Sequence, residues 1–174
     1  VLGQVGQALE VAEKAGTVNL PLRHAFQSAI RAGRLVREQT NISRNALSIS
    51  SVAVDLAAGI IGDMKNSGML VLGAGEAGRL VAEVARKRGV SRVVIASRTK
   101  ARAQALASII HGVAANFSDL DQELNTANIV VTCAGAPHRI LGFHRMEQAM
   151  RKRPGLPLVI IDIAIPRNVD PEVG

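Results

Sequence analysis

The chain has 174 residues, 48% of them hydrophobic, and a net charge of +7. Its length allows one domain of about 100–150 residues plus a further portion. Three Phe with no Trp or Tyr argue against a single-stranded nucleic-acid module built on base stacking, the lone Cys133 excludes an internal disulfide or a cysteine-rich metal site, and no run of about 18 apolar residues is present to span a membrane.

In chain order, Val1–Gly16 reads as a helix, with Leu2, Val5, Leu9 and Ala12 at helical spacing and Gly16 as its stop. Leu20–Glu38 reads as a second helix with Pro21 in its first turn. Leu22, Phe26, Ile30 and Gly33 form its stripe, while Arg23, Arg31, Arg34 and Arg37 fall mostly off it. The polar stretch Gln39–Asn45 is expected to be a connection and a domain boundary. "SISSVAVDLAAGII" then predicts an apolar helix ending near Ile61, for which Ser48, Ser50 and Ser51 are possible N-caps.

From Met69 onward strand and helix alternate. Strands are expected at Met69–Leu72, Arg92–Ala96, within "GVAANF", at Asn128–Thr132 and at Leu156–Ile163, the last apolar enough to be central. Helices are expected at Glu76–Arg88, Thr99–Ile110, Ser118–Asn125 and Phe143–Arg153. The pattern implies an α/β fold, a Rossmann-like, doubly wound parallel sheet with helices on both faces. The division expected is 1–45 as a helical part of a separate domain, 46–165 as the nucleotide-binding domain and 166–174 as the start of a further connection.

Gly73-Ala-Gly75-Glu-Ala-Gly78 matches G-x-G-x-x-G between a predicted strand and a predicted helix, the context that gives this motif its value. The first glycine permits the tight turn, the second admits a pyrophosphate to the backbone, and the third lets helix and strand pack closely. Glu76 and Ala77 open the helix whose free N–H groups would face the phosphates. Where an NAD-binding unit carries a carboxylate for the ribose hydroxyl, this chain reads Ser97-Arg98-Thr99. A carboxylate would repel a 2′-phosphate, whereas a guanidinium pairs with it. Ser97 and Thr99 add hydroxyls, and Lys100 and Arg102 add positive potential, so NADPH is expected over NADH. Arg98 as a solvated surface residue and Thr99 as a helix cap are the plainer readings. A second loop, "TCAGAP", follows the fourth strand: Thr132, Gly135 and Ala136 either leave room for the nicotinamide ribose or form a simple turn.

Cys133 is read as a small buried thiol rather than a nucleophile. His24, His111, His138 and His144 lack metal-ligand spacing, so no metal is expected. Asp162, at the end of the last strand, is read as tying down the loop that follows it.

Taken together, "LGQV" (Leu2–Val5), "VREQTNIS" (Val36–Ser43), "SISSVAVDLA" (Ser48–Ala57), "VLGAGEAG" (Val71–Gly78), "ASRTKARAQALA" (Ala96–Ala107) and "IDIAIPRNVDP" (Ile161–Pro171) resemble the glutamyl-tRNA reductases over essentially the whole chain. The glycine loop alone would fit many dehydrogenases, including the shikimate dehydrogenases, which share the "SRT..RA" type of second-strand ending; the combination of "LGQV", "SISSVAVDLA" and "DIAIPRNVDP" is more specific. The resemblance implies an NADPH-dependent oxidoreductase of tetrapyrrole biosynthesis that reduces glutamyl-tRNA to glutamate-1-semialdehyde. In that family a cysteine of an N-terminal catalytic domain forms a thioester, and a long helix leads to a C-terminal dimerisation domain. The family's nucleophile would precede Val1, and Cys133 does not match its motif. The expectation is therefore a fragment with no catalytic residue of its own, inactive alone, from a homodimer of bacterial cytoplasm or plastid stroma. Gln4, Arg23 and Ser48, Ser50 and Ser51 would border the substrate cleft, and Arg23, Arg31, Arg34 and Arg37 would meet tRNA phosphates, unless capping and a solvated helix face account for them. The alternatives are an NADP-dependent oxidoreductase of the shikimate-dehydrogenase type and a non-catalytic nucleotide-binding module.

Overall fold

The computed structural model describes residues 2–40 and 48–174. The chain divides into two compact units, Val1–Ala46 and Leu47–Gly174. Most of the connection expected at Gln39–Asn45, with its boundary, lies outside the described residues.

The first unit is a helical hairpin of α1 (Leu2–Lys14) and α2 (Leu20–Gln39). Leu9 is its buried residue on α1, with Leu2, Val5 and Ala12 half-buried on the same stripe. Asn19 caps α2, its side chain accepting from the Leu22 N–H at 3.0 Å, and Pro21 lies in the first turn. The hairpin is close-packed where Gly33 meets Leu2: a Cβ at Gly33 would lie 2.8 Å from Leu2 Cδ1. Arg31, Arg34 and Arg37 are exposed, whereas Arg23 is paired with Glu13 at 2.9 Å.

The second unit begins with α3 (Ile49–Ile61), capped by Ser48, whose hydroxyl accepts from the Ser51 N–H at 3.1 Å. Ser50 is buried, so of the three serines only Ser48 serves as the cap. There follow β1 (Gly68–Leu72), α4 (Glu76–Lys87), β2 (Arg92–Ala96), α5 (Lys100–Ile109), β3 (Val113–Ala115), α6 (Leu120–Thr126), β4 (Ile129–Thr132), α7 (Phe143–Arg151) and β5 (Val159–Asp162). The five strands are all parallel in the order β3-β2-β1-β4-β5. The period of two along each strand divides the core. Met69, Val71, Val93, Ile95 and Val131 face α3, α4 and α5, while Leu70, Leu72, Val94 and Val130 face α6 and α7.

Two expectations need correction. The helix foreseen at Ser118–Asn125 begins at Leu120, after a single 3₁₀ turn at Phe117–Asp119 that Asn116 and Asp119 close as a capping box. β5, foreseen as central, lies at the edge of the sheet, and all four of its residues are partly exposed. Hydrophobic composition marks a strand covered on its faces; it does not reveal whether both edges are hydrogen-bonded.

Arg153 was not foreseen as a core residue, yet it is only 1% exposed. Its guanidinium donates to the carbonyls of Leu124 and Pro157, joining the end of α6 to the approach to β5. Burial lowers its pKa from the ordinary arginine value.

Candidate functional site

The chain leaves β1 toward β2 in one direction and returns to β4 on the other side, so the strand order reverses between β1 and β4. Open α/β sheets bind ligands at such a point, beyond the carboxyl ends of the strands. Here that place is a cleft of about 240 Å³ whose lining includes Gly73, Gly75, Arg98, Thr99, Arg102 and Ala134.

Two of the three motif glycines are required by the protein's own structure, for different reasons. Gly73 has φ +128°, a conformation strained for any residue with a Cβ. At Gly78 a Cβ would stand 2.0 Å from the Gly73 carbonyl oxygen, so the helix could not approach the turn. At Gly75 a Cβ would meet nothing within 4 Å, and φ is −88°. Neither the backbone conformation nor the packing of the protein demands glycine there. Gly75 lines the cleft, and the space on the side where a Cβ would stand is open. Gly75 is also the N-cap of α4 and makes no side-chain cap bond, so the first-turn N–H groups lack that partner.

The second strand delivers Ser97, Arg98 and Thr99 to the opposite part of the same cleft. Thr99 occupies the N-cap position of α5 but makes no side-chain cap bond. The Ser97 hydroxyl oxygen accepts from the Thr99 N–H at 3.3 Å. Arg98 Nη2 donates to the Gly135 carbonyl at 3.0 Å, so the guanidinium reaches from the β2 end to the loop after β4. Arg102, in the first turn of α5, lines the cleft, and its guanidinium makes no ion pair or hydrogen bond with a described residue.

Of the residues singled out from sequence, Gly73, Gly75, Ser97, Arg98, Thr99 and Gly135 line the cleft together. Glu76 lies beside it in a neighbouring groove and is paired with Arg79 at 2.6 Å. Ala77 and Gly78 belong to the first turn of α4, behind the lining, and Lys100 is exposed outside it. Ala136 is buried. Thr132 is fully buried, its hydroxyl donating to Asp162 Oδ1 at 2.5 Å. Asp162 ties down the following loop as expected, accepting from the N–H groups of Ala164, Asn168 and Val169 at 2.8–3.0 Å.

Sequence reasoning did not place Ala74, Phe117 or Ile140 in the lining. Phe117 had a usable signal, since it follows the carboxyl end of β3. Cys133 lines the cleft floor, but its thiol donates to the Leu72 carbonyl at 3.3 Å, and burial pushes its pKa up to about 12. It is a packed thiol, as expected, and not an activated one. No group of three or more His, Cys, Asp or Glu able to hold a metal occurs among the described residues. No helix among them is long and apolar enough to cross a membrane.

Comparison with known proteins fits this geometry. The sequence profile of the shikimate / quinate 5-dehydrogenase family matches residues 55–174. Glutamyl-tRNA reductase of Moorella thermoacetica is 41% identical over 100% of this chain, which spans 40% of that protein. The solved glutamyl-tRNA reductase of Methanopyrus kandleri is 40% identical, with TM-score 0.69 over 99% of this chain and 43% of its own. The nucleotide-binding domain of glutamyl-tRNA reductase from Thermoplasma volcanium, at 18% identity and TM-score 0.57 over 72% of this chain and 82% of its own, shares the fold. The chain thus spans about two fifths of the length of the curated relatives it matches. With its cleft at the strand-order reversal and likeness along its whole length, it belongs to the shikimate / quinate 5-dehydrogenase family of domains, in the form carried by glutamyl-tRNA reductases.

Proposed function

We propose that the cleft binds NADPH and that the chain is the coenzyme-binding part of a glutamyl-tRNA reductase, which converts glutamyl-tRNA to glutamate-1-semialdehyde. One observation carries this reading: just past the second strand a guanidinium lines the same cleft as the glycine turn Gly73–Gly75, and no carboxylate is among the described residues lining that cleft. The residues fit the coenzyme. The turn at Gly73–Gly75 and the uncapped start of α4 suit a pyrophosphate. Arg98, Arg102 and the free hydroxyl of Thr99 suit a 2′-phosphate, to which charge-assisted bonds are strong. Gly135, across the cleft, leaves its side open for the nicotinamide ribose. When bound, NADPH supplies a hydride; the chain's own residues bind it, orient it and shield it from water.

Cys133 does not supply the thiolate that the family's thioester requires, because its proton is held by burial and by the Leu72 carbonyl. In this reading the nucleophile comes from another part of the intact protein, and the 174 residues alone bind coenzyme without turnover. Arg31, Arg34 and Arg37, exposed along α2, are read as contacts for tRNA phosphates. Arg23 is already engaged with Glu13 and contributes less. The intact protein is read as a homodimer of bacterial cytoplasm or plastid stroma.

Calorimetric titration of the chain with NADPH and NADH tests the assignment. NADPH should bind at least tenfold tighter, a difference of about 1.4 kcal/mol. Equal affinity, or a preference for NADH, would overturn it.

A further inference from the structure

Asn168 is absent from the lining of the cleft, yet it holds one of the walls. It is fully buried. Its Oδ1 accepts from the Ala134 N–H at 3.1 Å. Its backbone carbonyl accepts from the N–H groups of Ile140 at 2.7 Å and Leu141 at 3.0 Å. Ala134 and Ile140 both line the cleft, and Gly135 supplies the carbonyl that Arg98 bonds. One residue therefore fastens the stretch 134–141 at both its ends.

Asn168 is fixed in turn. Its N–H donates to Asp162 Oδ2 at 2.8 Å, and the same carboxylate accepts from Thr132 at the end of β4. A bridge between Leu141 and Val169, and the bond from Asp170 N–H to the Leu141 carbonyl at 2.9 Å, continue the clamp. The loop that bears Asn168 exposes Ile165 at its apex, 94% accessible, while its base is buried and bonded to the cleft wall. A loop needed only to end β5 would not require bonds to residues some 30 positions earlier.

We infer that Asn168 is a positioning residue for the coenzyme: it sets the 134–141 loop as the wall that the nicotinamide half meets. The inference rests on the reading of the cleft as an NADPH site. Dinucleotides lie across the strand-order reversal, one half on each side. The adenosine half belongs to the β1–β2 side with Arg98, and the half over β4 meets the loop that Asn168 holds.

The test compares NADPH with 2′,5′-ADP, which carries the adenosine half alone, on the wild-type chain, Asn168→Ala and Leu124→Ala. Leu124 is a buried residue of α6 outside the cleft and serves as a control for lost stability. Asn168→Ala should weaken NADPH about tenfold, the factor one hydrogen bond is worth, and should reduce the fluorescence gain of bound NADPH. It should leave 2′,5′-ADP within about twofold. Leu124→Ala should lose as much thermal stability and keep both affinities. Equal weakening of the two ligands by Asn168→Ala, or an NADPH loss in Leu124→Ala, would reduce Asn168 to a structural role. If the wild type binds neither ligand, the cleft assignment itself fails. Should Asn168→Ala not fold, amide hydrogen exchange of the wild type decides: slow exchange at Ala134, Ile140 and Leu141 in the free chain supports a preset wall, and rapid exchange overturns it.

Discussion

Gly75→Ala and Gly78→Ala are the same chemical change three residues apart, and the structure assigns them opposite consequences. At Gly78 the new methyl would lie 2.0 Å from the Gly73 carbonyl oxygen and 3.2 Å from Cys133 Sγ. The oxygen belongs to a backbone held at φ +128°, so it cannot swing aside as a side chain would. Overpacking of this kind costs about 1–3 kcal/mol, here toward the upper end, against a gain of about 1 kcal/mol in helix propensity. A net loss of about 1–2 kcal/mol lowers the melting temperature by about 2–8 °C for a chain of this size. At Gly75 the methyl meets no protein atom within 4 Å and the backbone is already accessible to alanine. The unfolded-state gain of about 0.4–1 kcal/mol and the loss of N-cap preference of similar size nearly cancel. Stability should stay within about 0.5 kcal/mol of wild type, while NADPH affinity falls more than about tenfold because the methyl occupies the ligand's approach. Thermal unfolding followed by circular dichroism, and NADPH titration by fluorescence, read the two effects separately. A Gly75→Ala chain that binds NADPH like wild type would refute the pyrophosphate assignment. A Gly78→Ala chain of unchanged stability would refute the steric reasoning.

Arg98→Ala should weaken NADPH by about 1.5–3 kcal/mol, the value of a charged hydrogen bond, and NADH far less, as measured by parallel calorimetric titrations. The Cys133 thiol, raised from 9.0 to about 12 by burial and by the nearby Asp162, should resist alkylation by iodoacetamide at pH 8 in the folded chain and react on unfolding. Because the folded chain keeps this proton between pH 9 and about 12 while the unfolded chain has released it, the thiol's contribution to stability falls as pH rises through that window. Urea unfolding of Cys133→Ala should lack this alkaline component. Arg153→Ala strands the carbonyls of Leu124 and Pro157 and opens a cavity, and should cost about 3 kcal/mol or more in the same assay.

The parallel sheet was legible because its signal is local: short apolar runs alternate with helical stripes, and the glycine motif sits between a strand and a helix. Arg98's place in the cleft lining was legible for the same reason, since it closely follows the second strand, where a ribose contact is expected. Arg102 was named only for its charge. Its place in the wall depends on the first turn of α5 standing over the cleft, a tertiary relation. Thr132 and Asp162 were read separately, and the register of β4 with β5 pairs them directly. Asn168 lay within the "IDIAIPRNVDP" stretch, but nothing local in it pointed to a role at the cleft. An asparagine in a loop after a strand is ordinary, and its importance comes from the tertiary bond its side chain accepts from Ala134, 34 residues earlier. Arg153 likewise read as one more basic residue near a helix end, and only the fold shows it sealed inside.

The bond from Arg98 to Gly135 also bears on how an anion would be received. A free arginine surrenders up to about 2 kcal/mol of rotamer entropy when a ligand immobilises it. Here the side chain is already drawn out over the cleft by one of its donors, and much of that disorder has been given up at folding. Capture of a phosphate then becomes an exchange of acceptors by a side chain already in place, which favours quick and selective uptake over a slow search by a wandering one.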